Sequence, residues 1–105
     1  MKEESIFLDV VGDSPVMRIL QFLIEGRHFD YTFSDLARAS GVSWATLYVV
    51  FPKLLKYGLV RQVRQVGRAK LYKINQDNQI AKYFIKLYDF ITELNLKKLE
   101  KPLAA

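Results

Sequence analysis

Apolar side chains recur at Val16, Ile19, Leu20, Leu23 and Ile24, at steps of three and four that place them on one helical face. Ser14 precedes this run where a side chain can cap the first amides, and Pro15 suits the first helical position, where its missing N–H is no loss. With Gly26 as the stop, the pattern predicts a helix over 15–25. Upstream, Ser5–Val11 reads as a short, loose helix broken by Gly12-Asp13. Phe29-Asp30-Tyr31 has room for only a very short strand. Thr32 with Asp35 three residues on resembles a capping box with a shortened acid and opens a second helix over about 33–40. Gly41-Val42 is a tight turn, and Ser43 caps a third helix that reaches about Lys56 before Gly58 stops it. Pro52 cannot donate to the carbonyl of Tyr48, so a kink or a split is expected there.

A different pattern follows in VRQVRQVGRAK. Val60, Val63 and Val66 repeat every three residues, which fits neither the 3.6-residue helix nor the two-residue strand period. It predicts an irregular or bulged strand over 59–66. A second strand over 70–74, in which Tyr72 and Ile74 alternate with Lys73, is joined to the first at Gly67-Arg68-Ala69. From about Gln76 to Lys98 a last helix carries the stripe Ile80, Phe84, Leu87, Ile91 and Leu94, widened by Tyr83, Tyr88 and Phe90, before a frayed tail KPLAA. The expected fold is mainly α with one small β-hairpin (α+β). It is a single domain over 1–105, with a core over 5–77 that includes the hairpin at 59–74, and a terminal helix over 78–98.

Composition changes the picture through charge. The chain has 105 residues and a net charge of +5, but the excess is local. Residues 1–35 hold Lys2, Arg18 and Arg27 against Glu3, Glu4, Asp9, Asp13, Glu25, Asp30 and Asp35. Residues 36–76 hold Arg38, Lys53, Lys56, Arg61, Arg64, Arg68, Lys70 and Lys73 with no acid at all. The remainder is nearly balanced. A basic middle is the electrostatic footprint of a nucleic-acid binder; a solubilising basic surface is the plainer alternative. Cysteine is absent, which removes disulfides and thiolate chemistry. His28 is the only histidine and nothing clusters around it, so no metal or cofactor is expected. No nucleophile–histidine pair, paired carboxylates or Gly-rich phosphate loop suggests an enzyme. Glu3-Glu4 and Asp9 read as a solvated terminus. No run approaches the ~20 apolar residues of a membrane span, and MKEESIFLDVV has the wrong charge order for a signal peptide. A soluble, cytoplasmic protein is expected.

Residues 33–52, FSDLARASGVSWATLYVVFP, assemble a helix-turn-helix. Ala37 lets the second helix approach, Gly41 supplies the left-handed turn residue, and Val42, Leu47 and Val50, with Leu54 beyond them, face the core. The chain then resembles the winged helix-turn-helix transcriptional regulators, especially the small archaeal ones, through GDSPVMRIL, SDLARASGVSWATLY, KLLKYGLV and VGRAKLYKINQDN. The resemblance covers about residues 6–95. It implies that the hairpin is a wing lying on the DNA backbone or in the minor groove, with Arg61, Arg64, Arg68 and Lys70 paired by phosphate and not by the protein. It implies a third helix in the major groove, presenting Ser43, Trp44, Ala45, Thr46, Tyr48, Val49 and Lys53. Ser43 would bond a phosphate at the helix N-terminus, and Ala45 and Thr46 would meet base edges or a thymine methyl. Tyr48 would bond phosphate, and Lys53, Lys56 and Arg38 would hold the backbone. Val49 departs from the basic or polar residue common there, and the face holds no bidentate base reader.

The expected partner is double-stranded DNA, bound by a homodimer that joins through Ile80, Tyr83, Phe84, Leu87, Phe90, Ile91 and Leu94, with Ile6–Val11 assisting. The simplest function is a sequence-specific repressor; effector, operator and regulated genes are not written in the sequence. Two other readings stay open: a nonspecific architectural DNA binder, and a protein-docking module using the apolar face around Trp44, Tyr48 and Val49. Trp44 and Phe51 have a plain alternative as core residues.

Overall fold

The computed structural model describes residues 5–100, with side chains to Lys97; the tail KPLAA and Glu3-Glu4 lie outside these residues. Five helices and a hairpin follow one another: α1 (Ile6–Val11), α2 (Pro15–Glu25), α3 (Phe33–Ser40), α4 (Trp44–Lys56), β1 (Val60–Val66), β2 (Ala69–Ile74) and α5 (Gln79–Glu100). The local chemistry sets the boundaries. Ser14 accepts from Met17 N at 3.2 Å, and Pro15 takes the first helical position of α2. Thr32 and Asp35 form a complete capping box on α3, at 3.1 and 3.0 Å, so the shorter acid suffices. α5 begins at Gln79, later than the expected Gln76, because Asn75–Asn78 form a turn and Asn78 caps the helix by accepting from Ala81 N at 2.9 Å.

The turn between α3 and α4 closes as a Schellman motif: Val42 N donates to Ala37 O at 3.0 Å and Gly41 N to Arg38 O at 3.4 Å. Gly41 has φ 67°, the left-handed value this motif requires. Pro52 does not split α4, which runs unbroken past it. Its ring is exposed, so the Tyr48 carbonyl deprived of its donor lies on the solvent side of the helix.

Ile19, Leu20, Leu23 and Ile24 of α2 meet Leu36, Ala37, Val42, Leu47, Phe51 and Leu54 in one core, which Leu59, Val60, Ile74 and Ala81 complete. Val50 is half-buried against it. The hairpin is antiparallel, from Val60↔Ile74 to Val66↔Ala69, and its register shifts between Gln62 and Arg64. Val63 is the extra residue, and the expected bulge is present. Gly67 at φ 60° opens the two-residue turn with the sign a II′ hairpin turn needs at its first central position. Of the short strand expected at 29–31 only Tyr31 pairs, exchanging both backbone bonds with Tyr72 at 2.8 Å.

α5 returns to the start of the chain. Phe7 of α1 is buried with its ring 5.4 Å from Tyr88. Tyr88 Oη donates to Glu25 at 2.7 Å; burial, then this carboxylate, push the phenol pKa up to about 12. Arg27 clasps Asp89 through two bonds of 3.0 and 2.7 Å, and the guanidinium hydrogen bond holds the Asp89 carboxyl below the usual carboxylate range.

Two outcomes follow for stability. Gly41→Ala forces a side chain into the left-handed region while its Cβ stands at ordinary distance, 3.4 Å, from Arg18; urea unfolding is expected to show a loss of about 1–2 kcal/mol from backbone conformation alone. Because folding depresses the Asp89 pKa, the contribution of the Arg27–Asp89 pair is complete above the unfolded value of 3.8 and disappears as pH falls through the lower folded value. Asp89→Asn is therefore expected to lower Tm at pH 7, with the gap to the parent chain closing in acid.

Candidate nucleic-acid interface

The face of α4 away from the core divides into two rows. Ala45, Val49, Lys53 and Lys56 run outward to solvent, and Val49 is 76% exposed. Trp44 and Tyr48, 47% and 60% exposed, turn toward the hairpin. Leu47, Phe51 and Leu54 turn inward, so Phe51 is core and Trp44 is not. The helix N-terminus is closed by Ser43, whose hydroxyl accepts from Thr46 N at 3.1 Å and donates to Thr46 Oγ1 at 3.0 Å. Two of the side chains expected to reach DNA from this turn, Ser43 and Thr46, are thus engaged with each other. Arg38 lies apart, pairing with Asp35 at 3.0 Å beside the Phe29–Tyr31 segment.

Trp44 and Tyr48 rest on Phe33, the first residue of α3, with ring centroids 6.0 and 5.2 Å away. Phe33 also touches Phe51 at 4.9 Å and Tyr72 of β2 at 5.5 Å. This aromatic group floors an open cleft of about 380 Å³ between α4 and the hairpin, with Arg68 and Lys70 on its far wall and no acid in its lining.

The bulge distributes the hairpin cations between two faces. Lys70 pairs in register with Gln65 and shares the face of Tyr72, whereas Arg64 lies opposite Leu71 and shares the face of Arg61 and Lys73. Arg61 and Arg64 line a separate recess with His28, Asp30 and Lys73. There the expectation that phosphate alone pairs the hairpin arginines is corrected. Arg64 Nε and Nη2 donate to Asp30 at 2.6 and 3.2 Å. The hydrogen bond from Arg64, then its charge, keep the Asp30 carboxyl below its usual pKa. By register Arg64 lies opposite Leu71, which is 8% exposed although strict alternation from Tyr72 assigns it to the outer face. Local sequence gave no sign of the pair, because 34 positions separate its members. Among the described residues Arg61, Arg68, Lys70 and Lys53 make no ion pair, and the Lys56 ammonium sits 5.3 Å over the Tyr57 ring. No group of three or more metal-ligating side chains occurs among those residues, and none of their helices is long and apolar enough to cross a membrane.

The terminal helix offers a second surface. Ile80, Tyr83, Leu87, Phe90 and Leu94 are exposed and step by three and four, a heptad seam. Phe84 and Ile91, expected on the same surface, turn inward: Phe84 packs against the core and Ile91 is 8% exposed. The periodicity of α5 therefore serves two faces, one packed within the chain and one exposed to solvent among the described residues.

No protein-family model and no curated protein matches the sequence. Solved structures do match its fold. MepR, a transcription regulator of the Staphylococcus aureus multidrug efflux pump MepA, superposes with a TM-score of 0.61 at 15% identity over 90% of this chain and 70% of its own. The antimony-specific transcriptional repressor AntR gives 0.62 at 17% over 91% and 79%. Reduced HlyU from Vibrio cholerae gives 0.58 at 20% over 78% and 80%. The fold is that of winged-helix regulators.

Asp30→Asn tests the built-in tether of the hairpin. Amide hydrogen exchange over Arg64–Leu71 is expected to quicken while the amides of α2 and α4 keep their protection; unchanged hairpin exchange would show that the ion pair does not hold it.

Proposed function

We propose that the chain is a winged-helix transcription regulator that binds double-stranded DNA, with α4 in the major groove and the hairpin as a wing on the phosphate backbone. The observation that carries this reading is that Arg68 and Lys70, which make no ion pair among the described residues, stand on an acid-free wall beside the exposed face of α4. A cation without a protein counter-ion loses no partner when phosphate arrives, and counterion release from DNA supplies the driving force. Lys53 and Lys56 extend this wall along α4, and Arg61 reaches phosphate from the outer face of the wing. Arg64 differs: phosphate must displace Asp30 from it. The free amides of the α4 first turn, rather than the Ser43 hydroxyl, are the anion donors at that end.

The acting unit is a homodimer through the Ile80–Leu94 seam, aided by exposed Ile6 and Val10 of α1. Two copies related by a twofold axis match pseudo-palindromic DNA. Repression by occluding a promoter is the simplest mode, in keeping with the repressor among the similar structures. The protein would act in the cytoplasm, as a binding protein and not an enzyme, and resemble the small archaeal regulators most. The rival is a protein-docking module, favoured by the exposure of Val49 and Tyr48. It predicts a partner lost on Val49→Glu with no DNA binding to lose.

Fluorescence anisotropy with the DNA upstream of its own gene and with a scrambled duplex tests the reading. Five unpaired cations, each neutralising one phosphate, set a log–log salt slope of about −4.5 per subunit. Arg68→Ala with Lys70→Ala is expected to flatten it by about 2 and weaken all duplexes alike. A preference for its own DNA of about a hundredfold or more establishes a specific regulator; equal binding makes it architectural; no binding at low salt leaves the docking module. For the dimer, sedimentation of Phe90→Glu is expected to give a monomer where the parent chain gives a dimer.

A further inference from the structure

Duplex recognition uses the cationic wall of the cleft between α4 and the wing but leaves its aromatic floor without a use. The first two turns of α4 carry Trp44, Ala45, Thr46, Tyr48 and Val49, none of them an Arg, Lys, Asn or Gln able to bond a base edge twice. What they offer toward the wing is aromatic surface. In a duplex the base faces are covered by their neighbours, so aromatic rings find nothing to stack on. An unpaired base presents both faces.

We propose that this cleft is a binding site for an unpaired base of single-stranded DNA, stacked on Trp44 and Tyr48 with its phosphate held by Arg68 and Lys70. Four observations converge on it. Both rings are about half exposed, yet Phe33 holds them from below, so stacking on them needs little ordering. Trp44 and Tyr48 stand 5.8 Å apart at 44°, an angled aromatic wall rather than a sealed stack. The cleft, about 380 Å³, falls in the range of small-ligand sites. The opposite wall is cationic and lacks any acid. Aromatic platforms joined to a positive groove are the means by which proteins hold single strands. A protein partner would bring its own polar rim, and the two unpaired cations favour a polyanion instead. DNA is chosen over RNA because the cleft adjoins the proposed duplex face, where a strand locally opened from the duplex would enter. The proposal rests on that face meeting nucleic acid, but its test does not pass through duplex binding.

Trp44 is the only tryptophan of the chain, so its emission reports the site directly. The full chain is titrated at low salt with a 12-nucleotide oligo-dT, an abasic deoxyribose-phosphate 12-mer of equal charge, an oligo-U 12-mer and a blunt duplex. Oligo-dT is expected to quench Trp44 and to bind about tenfold or more tighter than the abasic strand. Tyr48→Ala is expected to remove that margin by lowering oligo-dT affinity to that of the abasic strand; a margin that survives the substitution would overturn stacking on Tyr48. Equal binding of oligo-dT and abasic strand would reduce the site to electrostatics and overturn the proposal. Tighter binding of oligo-U overturns the assignment to DNA. Failure with every single strand while the duplex still binds overturns the cleft and spares the duplex reading; the reverse result overturns the duplex reading and supports the cleft.

Discussion

Phe33 is the contact on which the arrangement of this domain turns. It begins α3, within the Thr32–Asp35 capping box that fixes where the helix starts, and its ring meets Trp44, Tyr48 and Phe51 of α4 and Tyr72 of β2. Tyr72 and Phe51 meet in turn at 4.8 Å. One side chain therefore fixes α4 relative to both α3 and the hairpin. The paired backbone bonds of Tyr31 and Tyr72 repeat the attachment two residues earlier in the chain. The cleft exists because the hairpin is bound through the core-facing side of β2 while its tip, carrying Arg68 and Lys70, projects beyond the aromatic group.

Charge is arranged around that framework by subtraction. The acidic first third of the chain supplies counter-ions to cations away from the cleft: Asp13 to Arg18, Asp35 to Arg38, Asp30 to Arg64. Among the described residues the cations beside α4, Lys53, Arg68 and Lys70, make no ion pair. The exposed pairs of Asp13 and Asp35 contribute little to stability, so their consequence lies in where they leave positive potential. Arg64 is the instructive member, since the bulge at Val63 turns it to the outer face, within reach of Asp30. Had β1 alternated regularly, Arg64 would share the cleft face with Lys70.

α5 shows how one amphipathic pattern is divided. Ala81, Phe84, Tyr88 and Ile91 attach it to the core and to α1, and Arg27 and Glu25 fix its direction by charge and hydrogen bond. This intramolecular set occupies one side of the helix. The seam from Ile80 to Leu94 occupies another and remains open to water, a cost that a second copy of the chain would offset.

The sequence by itself determined the elements and their order. Helix ends were legible because capping is local: Ser14, Thr32 with Asp35, Ser43 and Gly41 act within four residues of themselves. The bulge was legible from the three-residue spacing of the valines, and the inner row of α4 from its period. Tertiary structure alone decided which face each exposed residue joins. The last helix carries more apolar positions than one helical face, so its period could not separate Ile91 from Leu94. Pro52 broke no helix because its side faces solvent, a fact that depends on packing and not on propensity. The partition of the hairpin cations depended on contacts across 34 positions, as between Arg64 and Asp30. Local pattern records the period of an element; only packing sets its rotation, and rotation decides which charges and rings meet.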